Sequence, residues 1–159
     1  MGWWSSGGEV AYSSGMWTSG VSGVASLPST GLDLPGTAGN YLSLVDAVDY
    51  DFPTNFSAMY DGTLDDWTPA TGPVFAAKAQ SAGQRSFTFT LVATTGLLRL
   101  SISVDGTALS TVTSDDPPTV SDGAAICVGV ARRGSDGRTQ FFSAPTGTTT
   151  HPGGVGWTQ

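Results

Sequence analysis

The stretch RSFTFTLVATTGLLRLSISVDGTALSTVTS, residues 85–114, decides the fold class. Phe87, Phe89 and Leu91 alternate with Ser86, Thr88 and Thr90. Leu98, Leu100, Ile102 and Val104 alternate with Arg99, Ser101 and Ser103. Successive side chains leave a strand on opposite sides, so a period of two over this length predicts strands with one buried face. Two breaks carry turn chemistry. Thr94-Thr95-Gly96 suits a three-residue hairpin loop with glycine in the left-handed position, and Asp105-Gly106 is a two-residue hairpin signal. The segment is expected to be a three-stranded antiparallel meander, with Phe87, Phe89, Leu98, Leu100 and Ile102 buried between two sheets. It holds two basic residues and one acid, and the acid sits in a turn.

The rest of the chain bounds what such a meander can belong to. A length of 159 residues supports one domain with a sizeable core and hardly two. The 22 glycines, with serine and threonine in every segment, favour turns and strands over helices. A formal charge of −7, with Lys78 the sole lysine beside five arginines, argues against a nucleic-acid partner, which would need clustered cations. The single cysteine, Cys127, excludes an internal disulfide, and its apolar run AAICVGVA predicts a buried, inert thiol. The first residues lack the positive charge and apolar stretch of a secretory signal. No window is apolar and long enough to cross a membrane as a helix, so no membrane partner is expected.

Working outward towards the N-terminus, residues 1–35 form a separate region. They are nearly uncharged, rich in Gly and Ser, and punctuated by Trp3, Trp4, Tyr12, Met16 and Trp17. A plain flexible linker has no use for tryptophans, whereas aromatic anchors are enriched in interface cores. The region is expected to be an extended arm that docks on a partner chain through those five side chains. The competing reading is an arm that folds back to add a strand to its own domain.

Residues 36–159 read as the sandwich itself. NYLSLVDAV is expected to be a first strand, and DYDFPTNFSAMYDGTLDDW contains a second. GPVFAAKAQ follows, then the meander, SDGAAICVGVARR, the turn GSDG, and RTQFFSAP. Short strands at regular spacing with turn signals between them predict an all-β antiparallel sandwich.

Several of these segments, GNYLSL, LDDWTPA, AAKAQSAGQRSFTFTL, TGLLRLSISVDGTA, DGAAICVGVAR and GWTQ, resemble the laminin-G-like branch of the concanavalin A-like lectin/glucanase jelly rolls. The resemblance runs from about Gly39 to Gln159. More narrowly, it is to copies found in structural proteins of tailed phages of actinobacteria. It implies two curved antiparallel sheets packed face to face. In the family, WTQ is followed by residues that bring a last strand beside the first. Here the sequence stops at Gln159, so an abbreviated jelly roll, a neighbour covering the open edge, and a longer parent protein are all open.

Glucanases of this fold place a pair of carboxylates, usually glutamates, on one strand. This chain has one glutamate, Glu9, in the arm, and its one histidine, His151, lies in a proline-flanked loop with no Gly-x-Ser-x-Gly elbow. No enzyme activity is therefore expected. One Cys and one His cannot supply a zinc set. Calcium has candidate ligands in Asp46, Asp49 and Asp51, with Asp61, Asp65 and Asp66 around the next turn, although aspartate is a routine turn residue. No other cofactor is expected. Trp67 and Trp157 are candidate platforms for glycan, set against the alternative that both are core residues. Arg132, Arg133 and Arg138 flank one turn and form the only basic cluster.

Taken with the resemblance, these features predict a virion structural protein of a tailed bacteriophage, made in the host cytoplasm and carried on the tail or capsid surface. A minor tail protein is the first expectation and a capsid decoration protein the second. The arm would join other virion proteins, a homo-oligomer is expected, and host cell-wall carbohydrate is the candidate external ligand. The alternatives are a carbohydrate-binding module and a diverged glycosidase.

Overall fold

The computed structural model describes residues 17–19, 42–44, 55–78, 86–103 and 105–159. The described residues form nine strands and no helix. The chain divides into two compact units, Met1–Val48 and Asp49–Gln159. In the first unit, β1 (Trp17–Ser19) pairs antiparallel with β2 (Leu42–Leu44) in a two-stranded sheet, with Trp17 opposite Leu44. The stretch expected to open the sandwich thus supplies β2, and its partner is a strand from the N-terminal region.

The second unit is an all-β sandwich of two antiparallel sheets. One has the order β3 (Phe56–Thr63), β8 (Ala125–Arg132), β9 (Thr139–Ala144). The other has the order β4 (Val74–Lys78), β5 (Phe87–Leu91), β6 (Leu98–Ile102), β7 (Ser110–Thr113). The last three of these are the predicted meander. Its core face is the alternate set Phe89, Leu91, Leu98, Leu100 and Ile102, all buried, with Phe87 partly buried against them. From the opposite sheet come Val128 and Val130, and Trp67 enters from the β3–β4 connection.

Hydrogen-bond phase explains why these side chains pack closely. Ser103 N donates to Ser86 O, and Val92 N to Leu97 O, which marks the hydrogen-bonded pairs of the β5–β6 ladder. The core pairs Phe87–Ile102, Phe89–Leu100 and Leu91–Leu98 are therefore the non-hydrogen-bonded ones, where side chains stand nearer. A register shift between Val74 and Ala76 marks a bulge in β4. Phe75 sits at the bulge and faces inward, where its ring stacks on Tyr60 at 4.7 Å and tilts against Phe89 at 5.2 Å.

Both meander turns differ from expectation. Val92 and Leu97 still pair, so the β5–β6 connection spans residues 93–96 rather than three residues. Gly96 adopts the expected positive φ of 68°, and Thr94 does so too at 63°. A Cβ at Gly96 would come within 2.7 Å of the Trp67 carbonyl, so glycine is required there for space as well as for conformation. Asp105-Gly106 does not make a two-residue turn. Ile102 pairs with Ser110, leaving a loop over 103–109. Asp105 Oδ1 accepts from Thr107 N and Ala108 N, each at 2.8 Å, and from Ser103 Oγ at 3.0 Å. A carboxylate that satisfies three local donors stabilises the wider loop over the tight turn.

Candidate functional site

Three surfaces carry chemistry, and each follows from strand alternation. The first is the far face of the three-stranded sheet. On β8, Ile126, Val128 and Val130 turn into the core, so Cys127, Gly129 and Ala131 turn away from it. Residues 145–159 cross this far face as a cover. Pro152 and Trp157 stand over Gly129, where an added Cβ would lie 2.6 Å from Pro152 Cγ and 3.1 Å from Trp157 Cη2. Trp157 Nε1 donates to Thr150 O and Oγ1, both at 3.1 Å. Asp61, opposite Cys127 on β3, accepts from Thr146 Oγ1 at 2.6 Å and from Gly147 N at 2.8 Å. Thr158 exchanges both backbone hydrogen bonds with Ser143 at the outer edge of β9.

Beneath this cover Cys127 is 0 % exposed. Burial, with a smaller push from the nearby Asp61 carboxylate, drives its thiol pKa up to about 12. The thiolate is the reactive form, so this cysteine is inert in the folded chain. His151 is exposed, and its Nδ1 lies 3.2 Å from the Pro152 carbonyl, a bond that forms with the proton on Nδ1.

The second surface is an acidic end of the sandwich. A Cβ at Gly96 would meet the Trp67 carbonyl, Thr68 and Pro117, so the connections 64–73, 92–97 and 114–124 gather there. They carry Asp65, Asp66, Asp115, Asp116 and Asp122. Asp122 Oδ1 accepts from Trp67 N at 2.8 Å, and Asp66 Oδ1 accepts from Thr68 N at 2.7 Å. Among the described residues, no three His, Cys, Asp or Glu side chains stand close enough to hold a metal ion.

The outer face of the four-stranded sheet is the third surface. It presents Thr88, Thr90, Arg99, Ser101, Thr111 and Thr113 by alternation from the core set. Ser101 Oγ and Thr111 Oγ1 are 3.0 Å apart and share a hydrogen bond. Arg99 Nε is shielded from solvent without a hydrogen-bond partner among the described residues. A shallow cleft of about 460 Å³ also opens beside β8 and β9, lined by Thr119, Val120, Ile126, Ala144 and Pro145. Among the described residues, no ionisable side chain lines it.

The residues singled out from sequence are scattered over these surfaces. Trp67 is 4 % exposed, and its Nε1 donates to Ala124 O at 3.2 Å, so its ring is a core element and not a glycan platform. Trp157 is half-buried over Gly129. Arg133 is tied to Asp136 across the β8–β9 turn, its Nε donating to Asp136 Oδ1 at 2.9 Å. Trp17 lies on β1. The calcium candidates Asp46, Asp49 and Asp51, the docking candidates Trp3, Trp4, Tyr12 and Met16, and Glu9 lie outside the described residues.

Asp122 and Gly129 were missed in the sequence, and Asp61, expected beside a turn as a calcium candidate, lies instead within β3 and holds Thr146 and Gly147. Asp61 and Asp122 bond to partners 85 and 55 residues away, a relation no local pattern encodes. Gly129 is visible only as a glycine inside a strand, which signals a close approach without naming what approaches. No family model, curated protein or solved structure matches this chain.

Proposed function

We propose that this chain is a virion structural protein of a tailed bacteriophage, a minor tail protein before a capsid decoration protein. In this reading residues 36–159 are a concanavalin A-like jelly roll of the laminin-G-like branch, and residues 1–35 anchor it to neighbouring virion proteins. The resemblance of LDDWTPA, AAKAQSAGQRSF and TGLLRLSISVDGTA to that family supplies the assignment.

One structural observation supports a non-catalytic role. Five of the described aspartates are engaged in holding the fold. Asp61, Asp66, Asp105, Asp122 and Asp136 each accept a backbone N–H. A general acid or nucleophile needs a carboxyl group free to face substrate, and groups held this way are committed elsewhere. The sandwich is then a rigid body to be carried, and attachment is left to the arm.

The test is incorporation. During infection of an actinobacterial host, tagged full-length chain should co-purify with intact particles, as read by mass spectrometry and immunogold labelling. A chain lacking residues 2–30 should stay in the lysate as folded protein. If the full-length chain is absent from particles, the virion assignment fails. If the shortened chain is incorporated equally well, the arm is not the anchor.

A further inference from the structure

Among the described residues, strand β7 ends its sheet, and all four of its residues, Ser110 to Thr113, are exposed. Ser114 N donates to Leu98 O at 2.8 Å, which sets the phase of the β6–β7 ladder. With Leu100 opposite Val112 and Ile102 opposite Ser110, it is Ser110 and Val112 whose backbone groups turn to β6. The N–H and C=O groups of Leu109, Thr111 and Thr113 therefore point away from the sheet. Leu109 and Val112 add apolar surface at 45 % and 41 % exposed.

Natural edge strands are commonly guarded by lysine, proline or a bulge. From Gly106 to Ser114 this one has no charged residue and no proline, and its register with β6 is unbroken. It is flanked instead by Asp105 at one end and by Asp115 and Asp116 at the other, all exposed. Among the described residues, the one cation near this edge is Arg99, on β6 opposite Thr113. Three described acids against one described base give the edge an anionic frame.

We infer that the β7 edge is a docking site for an extended segment of another polypeptide, which adds as a fifth strand and carries basic residues at both of its ends. Main-chain hydrogen bonds to Leu109, Thr111 and Thr113 supply the pairing, as in other cases of strand addition. Val112 and Leu109 receive apolar side chains of the partner. The charge frame disfavours a second copy of this chain as the occupant. Antiparallel pairing of two copies would set Asp105 of each beside Asp115 and Asp116 of the other. Parallel pairing would set like residues together. Like charges across an interface act against association, whereas a basic-flanked strand meets complementary charge at both ends in either direction. The inference stands on this edge alone and holds whether or not the protein belongs to a virion.

The test uses the full chain and two synthetic peptides. Each has an alternating Thr-Val centre, and they differ in carrying two lysines or two glutamates at each end. Binding is read by fluorescence anisotropy, and amide hydrogen exchange is read residue by residue. The lysine-flanked peptide should bind at least about tenfold more tightly than the other, and added salt should narrow the gap. On binding, the amides of Leu109, Thr111 and Thr113 should gain protection, while those of Ser110 and Val112, already bonded to β6, should change little. Thr111→Pro removes an outward donor and, apart from the side-chain bond to Ser101, leaves the backbone bonds to β6 in place, and should abolish binding; Thr111→Val, which loses only the Ser101 bond, should leave binding intact. Asp115→Lys with Asp116→Lys tests the charge frame without altering the strand, and should reverse the preference between peptides. Failure of both peptides to bind, equal binding of the two, or binding unaffected by Thr111→Pro would overturn the proposal. So would protection of Thr111 and Thr113 that rises with protein concentration in the absence of peptide, which would assign the edge to a second copy.

Discussion

Asp105 shows how much a single turn residue can decide. Its Oδ1 collects two backbone N–H groups and one hydroxyl, and the two backbone bonds lead the depression of its pKa to about 2. Asp136 is held at about 2 as well, first by the Arg133 side chain and then by Arg138 N. A folded-state pKa below the unfolded value means that the stabilising contribution is fully present above the unfolded value of roughly 4. It is lost as pH falls from there through about 2. Asp105→Asn keeps the shape and removes the charge. Its urea midpoint should lie below that of the parent at pH 6, and the gap should close as pH falls from roughly 4 through about 2. A constant gap across that range would mean that the loop is held by something other than the carboxylate.

At the scale of elements, β8 is the strand that must satisfy two surfaces at once. Its Val128 and Val130 face the meander, and its Gly129 lets Pro152 and Trp157 approach from the other side. This makes residues 145–159 a packed layer and closes the face that would otherwise expose Cys127, Phe142 and Gly129. Gly129→Val would force the cover off, since its Cβ alone would lie 2.6 Å from Pro152 Cγ. The cost should be about 1–3 kcal/mol, the range for overpacking a filled site. Two signals should accompany it, a shift of tryptophan fluorescence and faster alkylation of Cys127 under native conditions. If Cys127 stays unreactive and the fluorescence is unchanged, the cover can absorb the larger side chain and is not closely packed.

For the whole molecule, the second unit holds a core cluster of its own, running from Trp67 to Val130 across both of its sheets. A chain of Asp49–Gln159 should therefore fold on its own as an antiparallel sandwich. Its unfolding free energy, from denaturant titration followed by far-UV circular dichroism, should fall within about 0.5 kcal/mol of that of the full chain, the additivity expected of independent units. A larger loss would show that Met1–Val48 contributes to the stability of the sandwich.

What could be read in the sequence was what is local and periodic. Phe89, Leu100 and Ile102 announced their shared face because a strand repeats every two residues whatever it packs against. Gly96 announced its left-handed turn because few other residues adopt that conformation cheaply. The Asp105 loop was misread since Asp-Gly favours a tight turn only while the carboxylate has no better partners, and Ser103, Thr107 and Ala108 supply three. Only the tertiary structure decided that Trp67 is core, that Asp122 holds its backbone, and that Trp157 folds back over Gly129. These relations join residues tens of positions apart, and their energies exist only once the two sheets have closed and water has left the space between the partners.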